Sequence, residues 1–349
     1  MTDRADRPLR AGVVGLGMMG RNHVRVWDDV VEEAELVAVA DPDPAALRRA
    51  TVGRRARGFE DLDRMLAEEE LDLVSIVAPT SLHRPVTLAA LRAGANVLVE
   101  KPIAATREEA LEMIEAARSA GRMLTVGHIE RFNPAIRELR RRLEAGELGR
   151  IFQISATRLG PFPARIRDVG VVVDLAPHDL DVMRYLVGSE PVRIYAETEQ
   201  RIHTDHEDLF NGTIKFANGV LGVLNINWVT PTKQRLLTVT GERGMYVADY
   251  ISQDLVFYAN PQATETWVDH DAAPSVTTVT EGEMTRRSVR REEPLAVELR
   301  EFARAVRDGG PPPVDPHDAM VALLLARKMV DSAQTGEAIA GEALAAVLS

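Results

Sequence analysis

The sequence predicts a two-domain α/β protein: a doubly wound parallel sheet, then an α+β domain with a large, mainly antiparallel open sheet. Three observations carry that expectation. Apolar runs alternate with helical patterns from Leu9 to Val126, as parallel strands and their crossover helices do. A G-x-G-x-x-G follows the first run, at Gly15, Gly17 and Gly20. From Val192 to Tyr258 the pattern turns to short alternating stretches split by turn residues, as in hairpins.

At 349 residues the chain can bury two cores. We expect a boundary after residue 127, with 128–349 forming the second domain and its C-terminal helices free to pack back on the first. A formal net charge of -11 argues against nucleic acid or an anionic membrane as the main partner, because both select a basic surface. The lack of cysteine removes disulfides, thiolate catalysis and Cys-based metal sites. The opening MTDRADRPLR has no apolar core of a signal peptide. No run approaches the roughly 18 apolar residues of a membrane span, so the expected compartment is the cytoplasm.

Leu9 to Val14 is the first strand, and Val24, Trp27, Val30 and Val31 mark the helix after the glycine loop. In a Rossmann-type fold the loop Gly15-Leu16-Gly17-Met18-Met19-Gly20 makes a tight turn, lets backbone approach a pyrophosphate, and packs helix against strand. The helix N-terminus beyond it attracts the anion. Leu36 to Ala40 is the second strand, and it delivers Asp41, 21 residues past Gly20. An acid there accepts hydrogen bonds from ribose hydroxyls and repels a 2′-phosphate, which favours NAD. Arg48 and Arg49 lie just downstream and leave NADP open. Asp41 also reads as a turn residue, with Asp43 and Pro44 as N-cap and first residue of the next helix.

Leu71 to Ala78 is a buried-type strand, and a helix through Leu88 and Leu91 stops near Gly94. Asn96 to Val99 is a strand that delivers Glu100-Lys101-Pro102. Thr106 and Glu109 form a capping box for a helix ending at Gly121, and Met123 to Val126 is the last strand. Ligands bind such sheets beyond the carboxyl ends of the strands. Lys101 sits at such an end, where an ammonium suits a developing alkoxide.

Asn133 and Pro134 cap a helix with Ile136, Leu139 and Leu143 inward, and Gly149 to Thr157 is the first strand of the second domain. A Gly/Pro-bearing loop from Arg158 to Asp168 carries Arg158, Arg165 and Arg167, which suit a phosphorylated or nucleotide-linked sugar or pair with nearby acids. In Val171 to Gly188 a strand-type run ends at Asp174 and a helical pattern follows. Asp174 and His178 are one turn apart on one face. A carboxylate there can orient a histidine as proton acceptor; the plainer reading makes Asp174 an N-cap. Asn211-Gly212, Asn218-Gly219 and Gly241 to Gly244 mark hairpin turns. His203 and His206 flank Asp205, but no further ligands are spaced to join them, so no metal is expected. Asn260 to Arg291 reads as a long hairpin or a mobile loop. Pro294 opens a helix with Leu295, Leu299, Phe302 and Val306 on one face, and Asp315-Pro316 opens the last long helix, with Met320, Leu323, Leu324 and Met329 inward.

Together the glycine loop, Ala78-Pro79-Thr80-Ser81-Leu82-His83, Glu100-Lys101-Pro102, and Asp174 with His178 resemble the Gfo/Idh/MocA family of sugar and cyclitol oxidoreductases. The resemblance implies Lys101, Asp174 and His178 as the catalytic set. It implies Gly15, Gly17, Met18, Met19, Gly20, Asp41, Pro79, Thr80, His83, Glu100 and Lys101 around an NAD cofactor. The family often has Asn where Thr80 stands. Gly127 to Pro134, with Arg131, and Arg158 to Pro163 resemble the branch acting on UDP-N-acetylglucosamine. The expected substrate is therefore a sugar or nucleotide sugar, met by Lys101, Arg131, Arg158, Arg165, Arg167, Asp174 and His178. The resemblance also implies a homodimer or homotetramer through the second sheet. Inositol or free-sugar oxidation, a non-redox reaction with resident NAD, and a dinucleotide sensor are the competing readings.

Overall fold

The computed structural model describes residues 7–163, 169–202, 205–260 and 282–348. The chain divides into two compact units, Met1–Phe132 with Glu292–Arg327, and Asn133–Arg291 with Lys328–Ser349.

The first unit alternates strand and helix: β1 (Leu9–Val14), α1 (Met18–Asp29), β2 (Ala34–Ala40), α2 (Pro44–Thr51), β3 (Arg57–Phe59), α3 (Leu62–Glu68), β4 (Leu73–Ile76), α4 (Thr80–Arg92), β5 (Asn96–Glu100), α5 (Arg107–Ala120) and β6 (Leu124–Gly127). The six strands run parallel in the order β3-β2-β1-β4-β5-β6. Strand order reverses between β1 and β4, and the loops leaving their carboxyl ends part there, which opens a crevice. β3 and α3 carry no strong periodic signal: β3 has three residues and buries only Phe59, and α3 is defined by its cap, Asp61 accepting from the Arg64 amide at 2.8 Å. Elsewhere the helix ends follow their sequence. Asp43 caps α2 with Pro44 at the first position. Thr106 accepts from the Glu109 amide at 3.2 Å, while Glu109 reaches back to the Ala105 amide at 3.0 Å, one residue earlier than in a standard capping box.

Each face of this sheet buries its own core. Val13, Leu36 and Val39 pack with Val24, Trp27 and Leu47 on one side, and Val74, Ile76, Val97 and Val99 with Leu91 and Met113 on the other. The helix Pro294–Asp308 contributes Leu295, Leu299 and Phe302 to the first core and Val297 to the second, which Val314 and Met320 also join. That burial fits the grouping of Glu292–Arg327 with the first unit.

The second unit holds α6 (Pro134–Glu144), β7 (Ile151–Pro161), α7 (Val171–Val187), β8 (Pro191–Glu199), β9 (Leu209–Phe216), β10 (Leu221–Asn227), β11 (Val229–Gly241), β12 (Gly244–Asp249), β13 (Asp254–Ala259) and β14 (Met284–Arg287). The helix of the first unit described above is α8, and α9 (Pro316–Thr335), β15 (Ile339–Ala340) and α10 (Glu342–Leu348) complete the chain. The nine strands lie in the order β14-β13-β12-β11-β7-β10-β9-β8-β15, antiparallel except for β7 beside β10. α7 packs on β7, β9 and β10, and α6 on β12 and β13. Ile154, Ala156, Leu224 and Ile226 are buried on one side, while the alternate residues Ser155, Thr157, Val223 and Asn225 are only partly covered.

Three local readings change here. Val171 to Val173 form the first turn of α7, not a strand: Gly170 is the N-cap, and Glu207 takes the Val171 amide on its carbonyl at 2.9 Å and the Val172 amide on its carboxylate at 3.2 Å. Tertiary capping overrides the β-branched preference, and Asp174 is a first-turn residue, not the cap. Asn211-Gly212 lies inside β9; a Cβ at 212 would stand 2.7 Å from the Phe210 ring, so the glycine serves packing. Asn218-Gly219 does turn, between β9 and β10, with Gly219 at φ +92°. Finally, β7 runs on through Arg158 to Pro161, where a loop was expected.

Candidate functional site

The glycine loop is held by backbone sterics. Gly15 has φ +89°, and a Cβ there would lie 2.7 Å from the Val77 carbonyl oxygen. A Cβ on Gly20 would lie 1.9 Å from the Gly15 oxygen. Gly17 differs: among the described residues nothing stands within 4 Å of where its Cβ would be, and it caps α1 with no side-chain hydrogen bond. The first amides of α1 thus receive no side-chain cap from Gly17, and the positive end of the helix stands behind them. Beside them lies a cavity of about 650 Å³ lined by Gly15, Leu16, Gly17, Asp41, Ala78 and Pro79, among others. An uncapped helix start, room at Gly17 and an adjoining cavity fit a dinucleotide, its pyrophosphate on the amides and its adenosine in the cavity. Met18 is exposed and Met19 is packed on the core. Thr80, half-buried, opens α4 after Pro79.

At the end of β5 the Lys101-Pro102 bond is cis and Lys101 is half-buried. Two neighbours fix this turn. Glu100 accepts from the Lys101 amide at 3.2 Å on one oxygen, and its other oxygen lies 3.0 Å from Nε2 of the fully buried His23. Gly127 leaves room for that carboxylate, since a Cβ would come within 3.0 Å of it. His83 is buried, its Nδ1 2.8 Å from the Pro102 carbonyl and its Nε2 2.9 Å from that of Ala78. Both contacts are hydrogen bonds only for a ring carrying hydrogen on both nitrogens. Glu100 and His83 therefore shape the Lys101 turn through polar contacts within the protein. Deeper still lies Glu298 of α8, whose two carboxyl oxygens have no hydrogen-bond partner among the described residues. Burial first, and the nearby charge of Glu100 second, hold its carboxyl well above the usual carboxylate range.

In the second unit Asp174 and His178 are half-buried on α7, one turn apart, and Pro177 stands between them within the helix. Arg158 points to the buried side of its strand and forks onto Asp179 at 2.7 and 3.0 Å, with side-chain exposures of 3% and 2%. The Tyr250 ring lies 5.4 Å from its guanidinium carbon. A guanidinium so enclosed and doubly bonded to an acid is not open to a substrate phosphate, which corrects the expectation for Arg158. In the first unit the buried Arg131 pairs with Asp318 at 3.2 Å. Arg165, Arg167 and His203 lie outside the described residues. No cluster of three or more metal-ligating acids and histidines occurs among the described residues.

Residues 9–128 match a family model described as an oxidoreductase family with an NAD-binding Rossmann fold, and residues 136–247 match the GFO/IDH/MocA C-terminal domain. A UDP-N-acetylglucosamine 3-dehydrogenase of Acidithiobacillus ferrooxidans is 34% identical over 250 residues, which are 72% of this chain and 77% of that protein. The chain belongs to the Gfo/Idh/MocA oxidoreductase family. The scyllo-inositol 2-dehydrogenase (NAD(+)) of Bacillus subtilis is 28% identical over 348 residues, covering 95% of this chain and 96% of its own. The solved structure of the Acidithiobacillus ferrooxidans UDP-N-acetylglucosamine 3-dehydrogenase GnnA superposes with a TM-score of 0.82 at 28% identity, over 94% of this chain and 98% of that one.

As a Gfo/Idh/MocA oxidoreductase the chain is an NAD-binding enzyme with a parallel Rossmann sheet and a mostly antiparallel second sheet. Sequence reasoning missed His23, Glu207 and Glu298. For Glu298 a signal existed: it falls on the same helical face as Leu295, Leu299 and Phe302, where an acid is costly.

Proposed function

We propose that this Gfo/Idh/MocA oxidoreductase moves a hydride between NAD and a secondary ring hydroxyl of a nucleotide sugar, as a UDP-N-acetylhexosamine 3-dehydrogenase. The observation that carries the substrate class is the 34% identity to a UDP-N-acetylglucosamine 3-dehydrogenase over 72% of this chain. For NAD over NADP the support is the cavity beside the glycine loop, whose lining includes Asp41, Glu60 and Asp61 and no arginine or lysine.

In this reading NAD supplies the hydride acceptor, and the protein supplies orientation and charge. The glycine loop and the start of α1 hold the pyrophosphate. Lys101 donates to the substrate oxygen as negative charge builds, a contact that strengthens toward the transition state. His178 takes the hydroxyl proton, and Asp174, one turn before it, favours the imidazolium that forms. Arg165 and Arg167 are assigned to the sugar-linked diphosphate on residue type alone. The partly covered face of the second sheet, with Thr157, Val223 and Asn225, is assigned to a homodimer or homotetramer. The described residues include no helix long and apolar enough to cross a membrane, and we assign the enzyme to the cytoplasm.

The test is formation of NADH, followed by absorbance, across UDP-sugars, sugar phosphates, free sugars and inositols, with NAD and NADP in parallel. Turnover of a UDP-N-acetylhexosamine supports the reading. Turnover confined to inositols overturns it in favour of the second reading, cyclitol oxidation, which the alignment to the inositol enzyme over 95% of the chain favours. Light scattering after gel filtration checks the assembly.

A further inference from the structure

The parallel register of β2 and β3 sets Ala40 beside Phe59, and the Asp41 amide donates to the Phe59 carbonyl at 3.1 Å. Asp41 and Glu60 therefore leave neighbouring strands side by side at their carboxyl ends. Both line the cavity beside the glycine loop, yet their surroundings differ. Asp41 is half-buried; one oxygen accepts from the Leu16 amide at 2.6 Å and the other from the Asp43 amide at 2.9 Å. Glu60 is exposed, and no hydrogen bond or ion pair of its side chain is found among the described residues. The third acid of the lining, Asp61, is held as the cap of α3. Of the cations near this end of the sheet, Arg48 is exposed on α2 and Arg49 lies 3.6 Å from Asp43, and neither lines the cavity.

We propose that Glu60 is a cofactor-specificity residue that adds its charge to that of Asp41 in setting NAD against NADP, while Asp41 also latches the glycine loop. This rests on the reading that the cavity takes the adenosine half of NAD. A 2′-phosphate brings between one and two negative charges, and a ribose hydroxyl brings none. The carboxylate of Glu60 repels only the form that carries the phosphate. Asp41 carries the same sign, but its oxygens also bind backbone amides of the loop and of the following turn. Removing Asp41 frees the Leu16 amide and loosens a loop that both dinucleotides need. Removing the charge of Glu60 touches only what distinguishes them.

The experiment is calorimetric titration of the purified full chain with NADH and with NADPH, for the wild type, Glu60→Gln, Glu60→Lys and Asp41→Ala. Glu60→Gln is expected to raise the ratio of NADPH to NADH affinity by about tenfold, the scale of one charge pair a few ångströms apart in a half-exposed cavity. Glu60→Lys raises it further, and the gain shrinks as salt is added. Asp41→Ala is expected to weaken NADH by about tenfold or more, as loss of a charge-assisted hydrogen bond implies. An unchanged ratio in both Glu60 variants overturns the assignment of Glu60. An NADH affinity unchanged in Asp41→Ala overturns the role given to Asp41. If the wild type binds neither dinucleotide, the underlying functional reading falls and this inference falls with it.

Discussion

Nε2 of His23 stands 3.0 Å from Oε1 of Glu100, a fully buried imidazole set against the acid that precedes Lys101. The same acid takes the Lys101 amide on its other oxygen, so the pair links α1 to the cis turn after β5. Replacing His23 by Ala strands the Glu100 carboxylate in a site where it has little solvent to turn to. We expect a loss of about 2–4 kcal/mol, the range for breaking one side of a buried polar pair, measured by urea unfolding. A loss below about 0.5 kcal/mol, the usual effect of a neutral surface change, contradicts the role given to the pair.

Glu298 makes stability depend on pH. Its folded carboxyl is held above the ordinary value, first by burial and then by Glu100, so the native state keeps a proton that the unfolded chain releases. That group therefore costs the fold nothing below the unfolded value of about 4.5, and stability falls as pH rises from there toward the raised folded value. Glu298→Gln removes the titration with little change of shape. Unfolding curves at pH 5 and pH 8 should show the variant gaining on the wild type at the higher pH; a constant difference argues against a buried neutral acid.

Arg158 and Asp179 provide a test of structure against binding. Breaking the pair from one side, with Arg158→Met or Asp179→Leu, should cost about 3–5 kcal/mol, whereas the double replacement should cost much less than the sum. Variants that remain folded should keep the wild-type KM for the sugar. A raised KM with unchanged stability would return Arg158 to the substrate site.

Lys101→Met and His178→Ala are expected to lower kcat by roughly 10²–10⁴, the range for loss of a positioned acid, base or oxyanion donor. NADH titration separates this from a folding defect, since both variants keep the glycine loop. Turnover within a few-fold of the wild type removes that residue from the reaction.

Features that rest on local stereochemistry were readable from the sequence. Gly15 and Gly20 stand where a side chain meets backbone, and Asp43-Pro44 and Thr106 begin helices where their chemistry says they should. Features that rest on partners distant in sequence were not readable. Val171 to Val173 have strand-type side chains, and only Glu207, far along the chain, makes them helical. Gly212 mimics a turn because packing on Phe210 and a tight bend ask for the same residue. Arg158 opens the expected loop, and no local signal announces Asp179. Of the residues proposed for the reaction the sequence offers Lys101 and the Asp174–His178 spacing, while His23 and Glu298, which lie near Glu100 before Lys101, are silent without coordinates.

The seat of Glu207 at the start of α7 has a consequence for how this segment tolerates change. A Cβ at position 170 would fall 2.0 Å from a carboxylate oxygen of Glu207, so the two positions compete for one volume. Gly170→Ala alone ejects the acid and unpins the turn that bears Asp174, while shortening residue 207 alone leaves the Val172 amide bare. Surveys of related chains should find these sites changing together: glycine with a long acid, or a small capping side chain such as serine at 170 with a shorter residue at 207.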